Sequence, residues 1–180
     1  VKVKKILCML LACVLCVSAL GGCQGDKEPW SAEDFYLYDQ DGNEIEKPTS
    51  MVSVKEDSKE SWYTKRGLHP GDSIDKLKEL YPLDQCSFRC EDLNGLEGLH
   101  EKYKSVYEIL DNIEEEKDYS YISIIAAFTE VDDKLKACNF DLGFPHYEKG
   151  DKIYIIQIDV DPVSKTVYRI SIMHAGEIAE

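Results

Sequence analysis

The last third of the chain restricts the fold more than any other stretch. From residue 119 to 174, four runs rich in Ile, Val, Tyr and Phe follow one another: "YSYISIIAAF", "DKLKACNFDLGF", "KIYIIQIDV" and "TVYRISIMH". Such residues suit a pleated, half-buried surface. The first two read as one hairpin, and the last two flank the loop "DPVSK" as another. Two helical patterns precede them. In "PGDSIDKLKELYP", Ile74, Leu77, Leu80 and Tyr81 share a face, Asp72 or Ser73 is placed to cap, and Pro82 stops the helix. In "GLEGLHEKYKSVYEILDNIEEEK", Leu96, Leu99, Tyr103, Val106, Leu110 and Ile113 recur at spacings of 3, 4, 3, 4 and 3, a continuous apolar stripe. Glu114, Glu115 and Glu116 oppose the dipole at its end and read as a solvated terminus. Strands in sequence after two helices imply an α+β domain, with two helices packed on one face of an antiparallel sheet.

Upstream, "DFYLYDQDGNEIEKP" reads as a hairpin turning at Asp41-Gly42. "SMVSV" reads as a short strand, and "SWYTKRGL" as a strand entering Gly67. Asp39, Asp41 and Asn43 resemble the opening of a calcium loop. There, however, a Gly follows the third ligand and a Glu stands at position twelve; here Gly42 follows the second acid, and Ser50 occupies position twelve. A plain turn is the reading, no metal or other cofactor is expected, and a Ca²⁺-binding surface module is the alternative.

The chain opens with Lys2, Lys4 and Lys5, followed by an apolar run from Ile6 to Leu20. That run is shorter than the roughly 20 residues of a membrane span. A basic start, a short apolar core and small residues at the end form an export signal. Leu20-Gly21-Gly22-Cys23 resembles a bacterial lipobox. The resemblance implies cleavage before Cys23, a diacylglycerol thioether on its sulfur, and an extracytoplasmic domain held on the outer face of the cell membrane. Residues 1–22 are then the lipoprotein signal peptide, 23–33 a tether and 34–180 one domain. An eleven-residue tether reaches at most ~35–40 Å.

Without residues 1–22, 18 Lys+Arg remain against 35 Asp+Glu, a net charge of −17. Nucleic-acid binding rests on cationic neutralisation of phosphates, so no nucleic-acid partner is expected, nor docking on anionic headgroups. The balance favours solubility and cationic partners. About 158 residues are enough for one core without staples. Of seven cysteines, Cys23, Cys86, Cys90 and Cys138 survive cleavage. Cys23 is the lipid site, and Cys86 and Cys90 are the candidate disulfide pair in a compartment that permits one. No Cys or His pair has zinc-ligand spacing.

Gly71-Asp72-Ser73-Ile74 resembles the nucleophile motif of GDSL esterases and lipases. A nucleophilic Ser needs a base and oxyanion donors. Ser171, not an acid, stands three places before the late His174, and Gly67-Leu68-His69-Pro70 is no buried strand. No catalytic residue is assigned, and ester hydrolysis is the lesser alternative. The longer run from Thr64 through Arg66, Gly67, Gly71, Asp72 and Ser73 to Tyr81 resembles a segment of small Gram-positive surface lipoproteins. Those proteins are similar to β-lactamase-inhibitor-protein-like helix-on-sheet modules. The resemblance implies location and a non-enzymatic module that binds a protein or envelope ligand, and it transfers no catalytic residue.

Overall fold

The structure, a computed structural model, describes residues 27–45, 51–148 and 152–175. The strands are β1 (Leu37–Tyr38), β2 (Val52–Lys55), β3 (Tyr63–Thr64), β4 (Ser87–Cys90), β5 (Ile122–Val131), β6 (Lys134–Ala137), β7 (Phe140–Asp141), β8 (Phe144–Pro145), β9 (Ile153–Asp161) and β10 (Thr166–Ala175). The helices are α1 (Ile74–Leu80), α2 (Leu93–Lys102) and α3 (Val106–Asp111). The main sheet is antiparallel in the order β2-β10-β9-β5-β4, and β6 extends the β4 side by pairing with the second half of β5. The class is α+β with helices on one face, as the strand-rich last third requires.

Alternation along the strands sets the layers. Ile122, Ile124, Ala126 and Phe128 of β5, Tyr154, Ile156, Ile158 and Val160 of β9, and Ile170 and Ile172 of β10 enter one buried cluster with the helices. The opposite face carries a smaller cluster of Ile125, Ala127, Cys138, Ile153 and Ile155. Two tight turns hold the hairpin registers. Asp132 and Asp133 join β5 to β6 with φ 51° and 57°, and Leu142 and Gly143 join β7 to β8 with φ 45° and 77°.

The long helix read from the apolar stripe is two helices. Tyr103 turns extended at the end of α2, with φ −120° and ψ 135°. Ser105 then caps α3, its hydroxyl accepting from the Glu108 N–H at 3.1 Å, while the Glu108 carboxylate accepts from the Lys104 N–H at 2.6 Å. The buried face survives the break: all six residues of the stripe are buried. The glutamates that follow are not a loose solvated end. Glu116 is buried and accepts from the Tyr103 hydroxyl at 2.7 Å and from Lys102 at 2.6 Å. Lys102 also pairs with Glu115, and Lys165 with Glu114.

The domain begins earlier than its composition implies. Trp30 is buried among Phe35, Tyr81 and Phe128, and its indole N–H donates to the Pro82 carbonyl at 3.1 Å. Residues 27–33 are therefore not tether. The polar letters of "KEPWSAE" conceal one aromatic anchor, whose partners Tyr81, Pro82 and Phe128 lie far along the chain.

Candidate functional site

The segment from Thr64 to Ser73 is a brace. Thr64 is fully buried, and its hydroxyl oxygen accepts from the Leu68 N–H at 3.2 Å and the Tyr81 hydroxyl at 2.7 Å. Burial pushes the Tyr81 hydroxyl well above its ordinary pKa. Arg66 grips Asp34 with Nε at 2.7 Å and a terminal nitrogen at 2.8 Å. Its remaining donors go to the carbonyls of Glu28, Pro29 and Leu80. The guanidinium lies over the Trp30 and Tyr81 rings at 5.6 and 5.2 Å. One arginine thus fixes the entering chain, a helix end and the aromatic core together.

Gly71 takes φ +89°, which only glycine adopts without strain. Its N–H donates to the Val167 carbonyl, and the Val167 N–H donates to the Asp72 carbonyl, both at 2.7 Å. The Asp72 carboxylate accepts from the His69 N–H at 2.7 Å and closes the turn. The Ser73 hydroxyl caps α1 by accepting from the Lys76 N–H at 3.2 Å. Asp72 and Ser73 thus divide the work of starting the helix. The shallow groove beside Ser73 is lined by Asp75, Lys78, Asp111 and Lys165 and, among the described residues, by no histidine.

Asp39, Asp41 and Asn43 form a turn around one carboxylate. Asp39 Oδ1 accepts from the N–H groups of Asp41 and Asn43 at 2.9 and 2.8 Å, and Oδ2 accepts from the Asn43 side-chain amide at 3.0 Å. These donors, the Asn43 amide first, hold the carboxyl below its usual range. These three donors take up most of the carboxylate's lone pairs, and no group of His, Cys, Asp and Glu among the described residues is arranged to hold a metal ion.

No disulfide joins any two of Cys86, Cys90 and Cys138. Cys86 and Cys90 lie along one extended segment, where four residues span about 13 Å. A bridge needs Cα atoms within about 7 Å, so the candidate pair is ruled out by the strand it occupies. Burial pushes the Cys86 thiol up, and Cys90 donates to the Asp92 carbonyl at 3.1 Å. Cys23 lies outside the described residues.

The sheet face turned away from the helices holds chemistry that the sequence reading did not single out. Arg89, Ser123, Asp159, Arg169 and Lys55 stand opposite one another on β4, β5, β9, β10 and β2, a single row across the sheet. Asp159 is fully buried. It accepts from the Ser123 hydroxyl at 2.6 Å, the Gln157 amide at 2.8 Å and Arg169 Nε at 2.5 Å. Arg169 also packs against the Tyr121 ring. Arg89 is half-buried; it donates to Gln157 Oε1 at 2.8 Å and lies 5.5 Å from the Phe144 ring centroid. No carboxylate among the described residues pairs with it, whereas Arg66 and Arg169 each have one. The signal available in sequence was a polar residue at every second place: Ser123 in "ISI", Gln157 and Asp159 in "IQIDV", Arg169 and Ser171 in "YRISI". Comparison with family models, with curated proteins and with solved structures finds no match to this chain.

Proposed function

We propose that this protein is a lipid-anchored extracytoplasmic binding module, without catalytic activity, held against the outer face of the cell membrane through Cys23. The observation that carries the reading is the order of the first thirty residues. A basic start and a short apolar run end in Leu20-Gly21-Gly22-Cys23, and a clamped domain begins by Lys27. Two acyl chains anchor stably where one holds marginally. Four residues from Cys23 to Lys27 reach at most about 14 Å, so the domain would stand directly over the headgroups. The role of Ser73 as a helix cap supports a module over an esterase, and the engagement of the Asp39 carboxylate by three donors within its own turn disfavours the calcium alternative.

The test is metabolic labelling with a tagged fatty acid. The wild type is expected to take up label, and Cys23→Ser to take up none. Equal labelling of both proteins would reject the anchor.

A further inference from the structure

The binding reading leaves its partner open, and the far face of the sheet narrows it. A chain with 35 acidic and 21 basic residues has an acid within reach of most cations, and in this structure two of its three arginines use one. Arg89 does not. Only one of its donors is bonded within the protein, and no buried side-chain nitrogen among the described residues lacks a partner. Its open donors therefore face solvent. Gln157 and the Phe144 ring hold the guanidinium in place, so little side-chain freedom is left to lose on binding. A planar fork of this kind matches a carboxylate in two-point contact.

The row around Arg89 has the same sign. Arg89, Arg169 and Lys55 extend over about 19 Å, taking a strand spacing of about 4.8 Å. The single acid in the row, Asp159, is buried and pairs with Arg169, so the row's net positive charge comes from Arg89 and Lys55. Beyond β5, the alternation places Lys134 and Lys136 of β6 on this face as well. The face thus carries positive charge on a molecule that is otherwise strongly negative.

Its rim is apolar. The β7–β8 turn rests against β4, and Phe144 and Leu142 stand 42% and 40% exposed. Leu142 does so at φ +45°, in the left-handed region that side chains rarely adopt. Arginine beside exposed aromatic and aliphatic groups is the composition of protein-binding centres. A bare phosphate polymer would give Leu142 and Phe144 nothing to touch.

We infer that this face, with Arg89 as its anchor, docks an acidic segment of a partner protein. The inference rests on the binding-module reading and not on the lipid. The probes are poly-L-glutamate and a Glu–Tyr copolymer, titrated into the intact mature protein in detergent, with inorganic polyphosphate and poly-L-lysine beside them.

Both acidic polypeptides are expected to bind at low salt, the copolymer more tightly, and poly-L-lysine less well. Arg89→Gln should weaken them by about ten-fold, the low end for a charged hydrogen bond, and Arg89→Lys should restore only part. Phe144→Ser should remove the preference for the copolymer. The Arg89 Nε–Hε resonance should move during the wild-type titration, which reads the site without a variant that must fold. Equal binding by wild type and Arg89→Gln would overturn the proposal, as would absence of binding. Tighter binding of polyphosphate would reassign the face to a phosphate polymer, and a dimer that dissociates in Arg89→Gln would reassign it to a second copy; either overturns the proposal. Arg89→Gln should leave fatty-acid labelling unchanged, so a failed anchor and a failed docking face are told apart.

Discussion

Arg66 and Asp34 show what one buried pair does when every donor has a partner. The Asp34 side chain is 2% exposed and that of Arg66 12%. Removing one member leaves the other charge buried and alone, which costs about 3–5 kcal/mol. Arg66→Met should lower stability by that amount in denaturant titration and free the Trp30 indole, seen as a red shift of its fluorescence. A loss below 1 kcal/mol would mean that the clamp contributes little. The pair was not legible in sequence because its partners lie 32 residues apart, and only folding brings a Thr-x-Arg-Gly run onto the entering chain. Ser73 was legible because capping is local. The Asp39 turn was local too, and it sets a pH dependence. Its folded carboxyl titrates below the ordinary range. The stability it lends is whole above the unfolded carboxyl's value and is lost as pH falls through the folded value. Asn43→Ala removes the first of the donors responsible and should raise the Asp39 midpoint, followed by side-chain carboxyl NMR; an unmoved midpoint would contradict the turn.

Elements were legible where periodicity ran long. β5, β9 and β10 are nine- or ten-residue runs rich in Ile and Val, and the β9–β10 pairing follows from a short turn, whereas β5 meets β9 across three intervening strands. β4 has only four residues, "SFRC", too few to carry a period. The break between α2 and α3 lay in plain view as Ser105 followed three places later by Glu108, the spacing of a capping box. An unbroken apolar stripe outweighed it. The stripe reports which face is buried and not whether the backbone between its residues is one helix. The β7–β8 turn depends on Gly143. A Cβ there would meet the Phe88 carbonyl oxygen at 2.5 Å and Arg89 Cβ at 2.9 Å, at φ +77°. Gly143→Ala should therefore cost about 2–4 kcal/mol, read from the denaturation midpoint, and should loosen the Phe144 ring from Arg89. An unchanged midpoint would place the turn away from β4.

At the scale of the molecule, net charge and local charge point in opposite directions. A net of −14 directs attention to cationic partners, whereas the strand register assembles cations on the far face of the sheet. Composition averages over faces, and only pairing separates them. The proposed address, in contrast, rests on the first twenty-three residues alone and needs no fold to be read. The described domain already includes Lys27 and Trp30, so under the proposed anchor only residues 24–26 would separate it from Cys23. The account stands on the chemistry of Cys23, and intact mass spectrometry of the mature protein from its own membranes measures that chemistry directly. A chain beginning at Cys23 and carrying diacylglycerol is the predicted species. An unmodified chain, or one beginning elsewhere, would contradict the account.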